Sequence, residues 1–172
     1  PDPSALLTTL SDQTYIGAYV PHNLVLMSDI HRLKYAMYLN NDAYEALKKM
    51  IDAMPNEIAN DFYVREAYTS FTDLQYSNPN LAGKDERQLG HTVSIASKSI
   101  AYHEFETAAL SQWLEAHSYE YGFILRYPKR MASSTNHVYD AHYYRYVGKK
   151  NANKIYKENS CIEEYNQKEA AE

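Results

Sequence analysis

Two short stretches of the chain decide its fold, YGFILRYP at residues 121–128 and YRYVG at residues 144–148. The first contains an apolar run that stops at Pro128, and the second is rich in tyrosine and stops at Gly148. Aromatic and aliphatic runs bounded by proline or glycine are typical of β-strands. We therefore predict two neighbouring strands late in the chain, at residues 123–128 and 143–147.

Outward from these two strands, the chain alternates between further strands and helices. Aromatic and β-branched residues predict strands at residues 62–68 and 91–95. Apolar residues spaced by three or four predict helices at residues 42–54, 104–119, 151–158 and 162–168. This order predicts an α+β domain in which a small antiparallel sheet is flanked by helices.

We expect the chain to have three parts. They are an irregular arm at residues 1–24 that packs on the domain, the domain itself at residues 25–168, and a tail at residues 169–172. Asn41 is the predicted N-cap of the first helix. Glu163 and Glu164 are expected to lie on the solvated face of the last helix.

The composition indicates one soluble globular domain. Of the 172 residues, 45% are hydrophobic and 23% are charged, and the formal net charge is -5. No basic stripe alternates with aromatic residues, which excludes nucleic acid as a partner. Cys161 is the sole cysteine, so an internal disulfide and a cysteine-rich zinc finger are excluded. No apolar run approaches the ~20 residues that a membrane span needs, so we expect membrane attachment only through an anchor preceding Pro1.

The two opening stretches, together with IEEY at residues 162–165, resemble the VanY-type D-alanyl-D-alanine carboxypeptidases. The resemblance runs from about Gly83 to Tyr165 and more loosely back to Asp42. It implies the zinc-peptidase fold that this family shares with lysostaphin-like endopeptidases and the hedgehog signalling domain. It also implies a metal site on the sheet, where two histidines and an aspartate hold zinc and a glutamate deprotonates the attacking water.

The chain departs from the family at each metal-ligand position. The pattern Ser-x-His-x-x-Gly-x-Ala-x-Asp matches residues 85–94 when it is aligned on Gly90. Arg87 then stands at the first histidine and Ser94 at the aspartate. The second pattern, Glu-Pro-Trp-His-Tyr-Arg-Tyr-Val-Gly, matches residues 140–148, so Tyr143 stands at the second histidine and Asp140 at the general base.

A fourth change affects the residue that holds the substrate. The family element Ser-Gly-Tyr-Arg-Ser supplies an arginine for the substrate's terminal carboxylate, and it matches residues 66–70, where Thr69 replaces that arginine. No catalytic set is intact, since only Asp140 is left, at the general-base position. On this alignment the candidate ligand-binding residues are Tyr68, Thr69, Asp85, Arg87, Ser94, Asp140 and Tyr143.

These replacements predict that the chain has no metal site and no other cofactor. An arginine side chain stays protonated and has no lone pair to give to a metal. Sliding the strands does not restore zinc: His142 neighbours Tyr143 and therefore points to the opposite strand face, and with His91 as first ligand the aspartate position falls on Lys98. We expect Arg87 to pair with Asp85 or Asp140; the alternative is that Arg87 binds the carboxylate of a peptide.

The sequence therefore predicts a catalytically degenerate relative of the D-Ala-D-Ala carboxypeptidases. It would act at the bacterial cell envelope, or outside the cell, as a peptidoglycan-binding, scaffolding or regulatory module. Its partner would be a peptidoglycan stem peptide or an envelope protein. Two alternatives stay open: an active zinc D,D-carboxypeptidase with an atypical metal site, and a protein-interaction domain without a wall ligand, whose 18 tyrosines supply the contact surface.

Overall fold

The computed structural model describes all 172 residues and contains two antiparallel sheets. The strands are β1 (Leu24–Leu26), β2 (Tyr38–Asn40), β3 (Phe62–Glu66), β4 (Thr92–Ser97), β5 (Phe123–Tyr127) and β6 (Asp140–Tyr146). Strands β1 and β2 pair with each other, and the other four form a sheet in the order β3-β4-β6-β5. The predicted α+β architecture, with a small antiparallel sheet flanked by helices, is confirmed.

Seven helices surround the sheets. They are α1 (Asn41–Ala53), α2 (Asn56–Asp61), α3 (Phe71–Ser77), α4 (Ala109–His117), α5 (Ala132–Thr135), α6 (Lys149–Lys157) and α7 (Ile162–Ala171). The side chain of Asn40 caps α1 by accepting hydrogen bonds from the N–H groups of Asp42 and Ala43. The N-cap is thus one residue earlier than predicted. Pro55 follows the helix and prevents its continuation.

The two faces of the four-stranded sheet have different roles. Val93, Ile95 and Tyr144 belong to the main buried cluster, together with Leu47 of α1 and Leu114 of α4. Side chains alternate along a strand, so the residues between these point to the other face. That second face carries polar and charged residues, and the candidate site lies on it.

The structure differs from the sequence predictions in three places. The helix predicted at residues 104–119 is broken, because Ala108 has an extended backbone that separates the Tyr102–Thr107 3₁₀ turn from α4. Helix α7 ends at Ala171, three residues beyond the predicted end at Lys168, because the alanine-rich segment after Lys168 favours helix. The β1–β2 hairpin and helices α2, α3 and α5 were not predicted, since each has only a few residues and lacks a clear apolar period.

The N-terminal arm has no helix or strand before Leu24 and is held by side chains of the domain. Gln88 donates hydrogen bonds to the carbonyls of Gly17 and Tyr19. Arg145 donates to the carbonyls of Leu6 and Thr8. The arm therefore packs against the polar face of the sheet. None of the helices has the length and apolar character needed to cross a membrane.

Candidate functional site

Strands β3, β4 and β6 place Glu66, Ser94 and Tyr143 in one row, and two of these, Ser94 and Tyr143, stand at ligand positions of the family pattern. Ser94 in β4 lies directly opposite Tyr143 in β6 and opposite Glu66 in β3. Residues opposite each other on neighbouring strands project from the same sheet face, so these three side chains lie side by side. The Glu86–Leu89 turn ends at Gly90, whose φ of 82° favours glycine, and this turn brings Arg87 to the row.

Arg87 is held by two carboxylates. Its Nε lies 3.0 Å from Oδ1 of Asp85, its Nη2 lies 2.8 Å from Oδ2 of Asp85, and its Nη1 lies 3.3 Å from Oε2 of Glu66. Burial alone would lower the pKa of Arg87, but the hydrogen bonds and charge of Asp85 raise it above its ordinary value. The expected pairing with Asp85 is present, whereas Asp140 accepts a hydrogen bond from the backbone N–H of His142 instead.

Tyr143 is a neutral hydrogen-bond donor in this row. Its hydroxyl donates to Oε2 of Glu66 at 2.6 Å. Burial raises the pKa of Tyr143 well above its ordinary value, and Glu66 raises it further, while Arg87 opposes the shift. In this arrangement the Tyr143 phenol is a hydrogen-bond donor to Glu66.

Ser94 is fully buried, and its hydroxyl has no hydrogen-bond partner. The Tyr102 hydroxyl lies near Ser94, but the contact falls short of hydrogen-bond geometry. Thr69 lies behind the Arg87 turn, where its N–H donates to the Arg87 carbonyl at 3.3 Å. Tyr68 donates its N–H to the carbonyl of Tyr38.

A cavity of about 450 Å³ brings together four of the seven candidate residues: Asp85, Arg87, Asp140 and Tyr143. We call it the cleft. The arm contributes residues 10–12 to its wall, and the segment between α5 and β6 contributes His137. Tyr68, Thr69 and Ser94 do not line it. A second cavity of about 380 Å³, lined by Tyr102 and Tyr139, shares Asp140 with the cleft.

His142 lies away from the row, and both of its ring nitrogens are occupied. Nδ1 is 2.7 Å from the carbonyl oxygen of Ile95, and Nε2 is 2.9 Å from that of Tyr102. The ring stacks between Tyr102 and Phe105, with centroid distances of 3.8 and 4.4 Å. His142 therefore packs the Tyr102–Thr107 turn against β4, and its nitrogens are not directed into the cleft.

A buried ionic network lies beside the site and was missed by the sequence analysis. Glu86, only 5% exposed, accepts two hydrogen bonds from Arg126 and one from Arg145, each at 2.8 Å. Glu163 accepts two more from Arg126. The prediction that Glu163 lies on a solvated face is wrong, because this pairing buries most of its side chain. The signal was an arginine inside the apolar strand FILRY.

The donor atoms near the row do not fit a zinc ion. Zinc sites use three or four nitrogen, sulphur or carboxylate ligands that converge on one point. No group of three histidine, cysteine, aspartate or glutamate side chains in the structure has that arrangement. Arg87 adds a positive charge at the point where the alignment puts the first ligand, and its nitrogens point to Asp85 and Glu66.

Sequence comparisons relate the chain to known carboxypeptidases. The family model for VanY, described as D-alanyl-D-alanine carboxypeptidase, matches residues 72–149. The D-alanyl-D-alanine carboxypeptidase of Enterococcus faecalis (strain ATCC 700802 / V583) is 34% identical over 71% of this chain and 44% of its own length. YodJ of Bacillus subtilis (strain 168), named as a proposed carboxypeptidase, is 28% identical over 97% of this chain and 69% of its own length.

Solved structures show the same relationship. The LdcB LD-carboxypeptidase, whose structure addresses peptidoglycan recognition, superposes with a TM-score of 0.85 at 27% identity, over 96% of this chain and 87% of that one. VanYB in complex with D-alanine-D-alanine has the same fold, with a TM-score of 0.74 at 24% identity over 94% of this chain and 97% of that one. The fold and the sequence matches define a carboxypeptidase-like domain. Sequence and fold together place the chain in the VanY-type D-alanyl-D-alanine carboxypeptidase family, as predicted.

Two buried groups predict that the protein loses stability in acid. Burial, with a contribution from Arg145, lowers the pKa of His91 from 6.5 to about 4. In the unfolded chain His91 binds a proton near pH 6.5, whereas in the folded chain it binds one only near pH 4. The free energy of unfolding therefore decreases as the pH falls from 6.5 to 4. Burial alone would raise the pKa of Glu86, but Arg126 and Arg145 outweigh it and lower the pKa from 4.5 to about 2. Stability from this carboxylate is complete above pH 4.5 and is lost as the pH falls toward 2.

Each group is expected to contribute about 3 kcal/mol over its window. The measurement is the free energy of unfolding by urea at pH 7, 5.5, 4.5 and 3. In a His91→Asn variant, the decrease between pH 6.5 and 4.5 should shrink, whereas the decrease below pH 4.5 should persist. Equal pH dependence of the two proteins above pH 4.5 would show that His91 is not the group responsible.

Proposed function

We propose that this protein is a catalytically inactive member of its family that binds the peptidoglycan stem peptide at the bacterial cell envelope. One observation carries the proposal: Arg87, at the first ligand position, is bound to Asp85 and Glu66. A zinc ion there would be repelled by this cation, and the neutral Tyr143 and the hydroxyl of Ser94 offer it weak donors. Without a metal, the row has no Lewis acid to polarise a scissile carbonyl and activate water as the zinc of the family does.

Retention of the cleft supports a binding role. The cavity of about 450 Å³ is open beside the ligand positions that Arg87, Ser94 and Tyr143 occupy. Its volume falls in the size range of ligand sites. LdcB, the similar LD-carboxypeptidase, is a protein whose structure addresses peptidoglycan recognition. A module that keeps the cleft and lacks the metal would bind wall peptide without cutting it, and it would act as a scaffold or regulator of other wall enzymes.

The proposal predicts binding without turnover. Protein purified without chelator should contain far less than one zinc per chain, measured by elemental analysis. It should bind the synthetic pentapeptide L-Ala-γ-D-Glu-L-Lys-D-Ala-D-Ala in calorimetry, and should release no D-alanine from it. Stoichiometric zinc together with D-alanine release would establish the active enzyme instead. Absence of binding to both the peptide and purified sacculi, with capture of an envelope protein, would support the interaction domain.

A further inference from the structure

The two edges of the four-stranded sheet differ in what covers them. At β3, the segment at residues 31–33 pairs with the strand: the Val64 N–H donates to the His31 carbonyl at 2.9 Å, and the Val64 carbonyl accepts from the Leu33 N–H at 2.8 Å. At β5, the opposite edge, no strand or isolated bridge pairs with the outer side. An uncovered strand edge offers backbone donors and acceptors to another chain.

The register of the sheet shows which backbone groups of β5 face outward. The Tyr146 N–H donates to the His91 carbonyl, so the backbone groups of Tyr146 face β4, and those of Tyr144, two residues away, face β4 as well. Leu125 lies opposite Tyr144, so its own N–H and carbonyl point away from β6. No turn or loop backbone group forms a hydrogen bond with them, and Leu125 is partly exposed.

Another cavity, also of about 450 Å³, lies along this edge, and we call it the edge groove. It is lined by β5 at residues 123–125, by the Ser118–Tyr121 turn and by the C-terminal part of α6. The rings of Tyr119 and Tyr156, stacked with centroids 3.8 Å apart, give it an aromatic wall. It shares no lining residue with the cleft, and its volume is that of a ligand site.

The rim of the edge groove has an excess of positive charge. Arg130 and Lys157 line the groove, both are exposed, and neither forms an ion pair, whereas Lys154, earlier in α6, is paired with Glu169. Glu115 is the single acidic residue of the lining. The chain as a whole has a formal net charge of -5, so this local excess of cations is complementary to an acidic ligand.

From these observations we infer that the edge groove binds an extended, acidic peptide segment of another protein, which adds to β5 as a further strand. Leu125 bonds one residue of the segment through its N–H and carbonyl, as Val64 bonds residues 31–33 at the other edge. Strand addition takes its affinity from main-chain hydrogen bonds and its specificity from side-chain contacts. Acidic side chains of the segment meet Arg130 and Lys157, and apolar ones meet the stacked tyrosines. The inference goes beyond the proposed function, because it gives the domain a second site for a partner protein.

The test uses a fluorescent peptide, Thr-Glu-Val-Glu-Val-Glu-Thr with both ends blocked, and measures its binding by fluorescence polarisation at low salt. Replacing the three glutamates with lysines is expected to weaken binding by about tenfold or more. Alternate N–H groups of a strand face its neighbour, so N-methylation of both valines and N-methylation of all glutamates should differ. One should weaken binding by about tenfold or more and the other by less than about threefold. Equal effects of the two methylations would exclude strand addition.

Protein variants locate the site. Lys157→Glu is expected to weaken binding of the peptide by about tenfold or more. Lys150→Glu makes the same change at another exposed position of α6, which does not line the groove, and is expected to change binding by less than about twofold. In nuclear magnetic resonance spectra, the peptide should shift the Leu125 amide signal and slow its hydrogen exchange. Equal effects of the two variants, with an unchanged Leu125 signal, would overturn the inference.

The other possible occupants give different results. An excess of the stem pentapeptide should not displace the probe, because the two sites share no lining residue; displacement would place the probe in the cleft. A dimer in light scattering that the probe dissociates would show that a second copy of the chain covers β5. Absence of binding would mean that the two cations only guard the edge against association. Each of these three results overturns the inference and leaves the proposed function intact.

Discussion

Replacing Glu86 with glutamine is expected to lower the free energy of unfolding by about 3–5 kcal/mol, which is the usual cost of removing one partner of a buried ion pair. Arg145 is fully buried, and its single carboxylate partner is Glu86. Arg126 is 1% exposed and would keep only Glu163. Glutamine has nearly the size and shape of glutamate, so the decrease in the free energy of unfolding reports the removal of the charge. Urea denaturation at pH 7, followed by circular dichroism, gives the value.

Two controls separate the network from general effects of charge. Glu163→Gln should cost less than Glu86→Gln, because Glu163 is closer to solvent and contacts Arg126 alone. Glu57→Gln, at an exposed position of α2, should change stability by less than about 0.5 kcal/mol. If Glu86→Gln costs no more than Glu57→Gln, then solvent reaches the two arginines and the network does not stabilise the fold.

Restoring the family residues is expected to create a zinc site. The variant combines Arg87→His, Ser94→Asp and Tyr143→His with Asp140→Glu. Positions 94 and 143 are already directly opposite each other, and the turn ending at Gly90 already brings position 87 to them. Removing the cation and adding three ligands should allow one zinc to bind with micromolar or tighter affinity, on the order of 8 kcal/mol or more. Competition with a fluorescent zinc chelator measures it.

The matched control keeps Arg87 and carries the other three substitutions. It should bind zinc at least about a hundredfold more weakly, because a guanidinium supplies charge of the wrong sign and no lone pair. Zinc should also raise the melting temperature of the restored variant, but not that of the control. A folded restored variant that binds no zinc would mean that residues 87, 94 and 143 are not the ligand positions.

The sequence predicted the sheet because its strands carry strong local signals. Runs such as FILRY and YRYVG are aromatic and aliphatic and end at proline or glycine, so their strands lie within a few residues of the predicted bounds. The β1–β2 hairpin has only three residues per strand, and its pairing depends on contacts that no local pattern records. The break near Ala108 was also invisible to a local pattern. The apolar residues keep helical spacing through this position, although the backbone of Ala108 is extended and interrupts the helix.

The candidate site was predictable where the spacing of the family motifs indicates which residues lie opposite each other in the sheet. Alignment with the family pointed to positions 87, 94 and 143, and the structure brings Ser94 and Tyr143 opposite each other. The partners of Arg87 were only partly foreseen, because the motif at residues 66–70 assigns its substrate contact to position 69 and gives Glu66 no role. The Glu86 network joins residues up to 59 positions apart, which lies beyond any pattern in a sequence window.

The hydrogen bonds from Arg145 to the carbonyls of Leu6 and Thr8 have a consequence for anyone trimming the protein. Those two carbonyls come from a segment without regular secondary structure, which precedes the residues that the family model matches. A gene fragment that starts after Thr8 would deprive the buried guanidinium of Arg145 of two acceptors. It would also leave Leu10, which lines the cleft, next to the new chain end. The minimal expressible unit therefore includes this stretch, although the family match itself starts far downstream at residue 72.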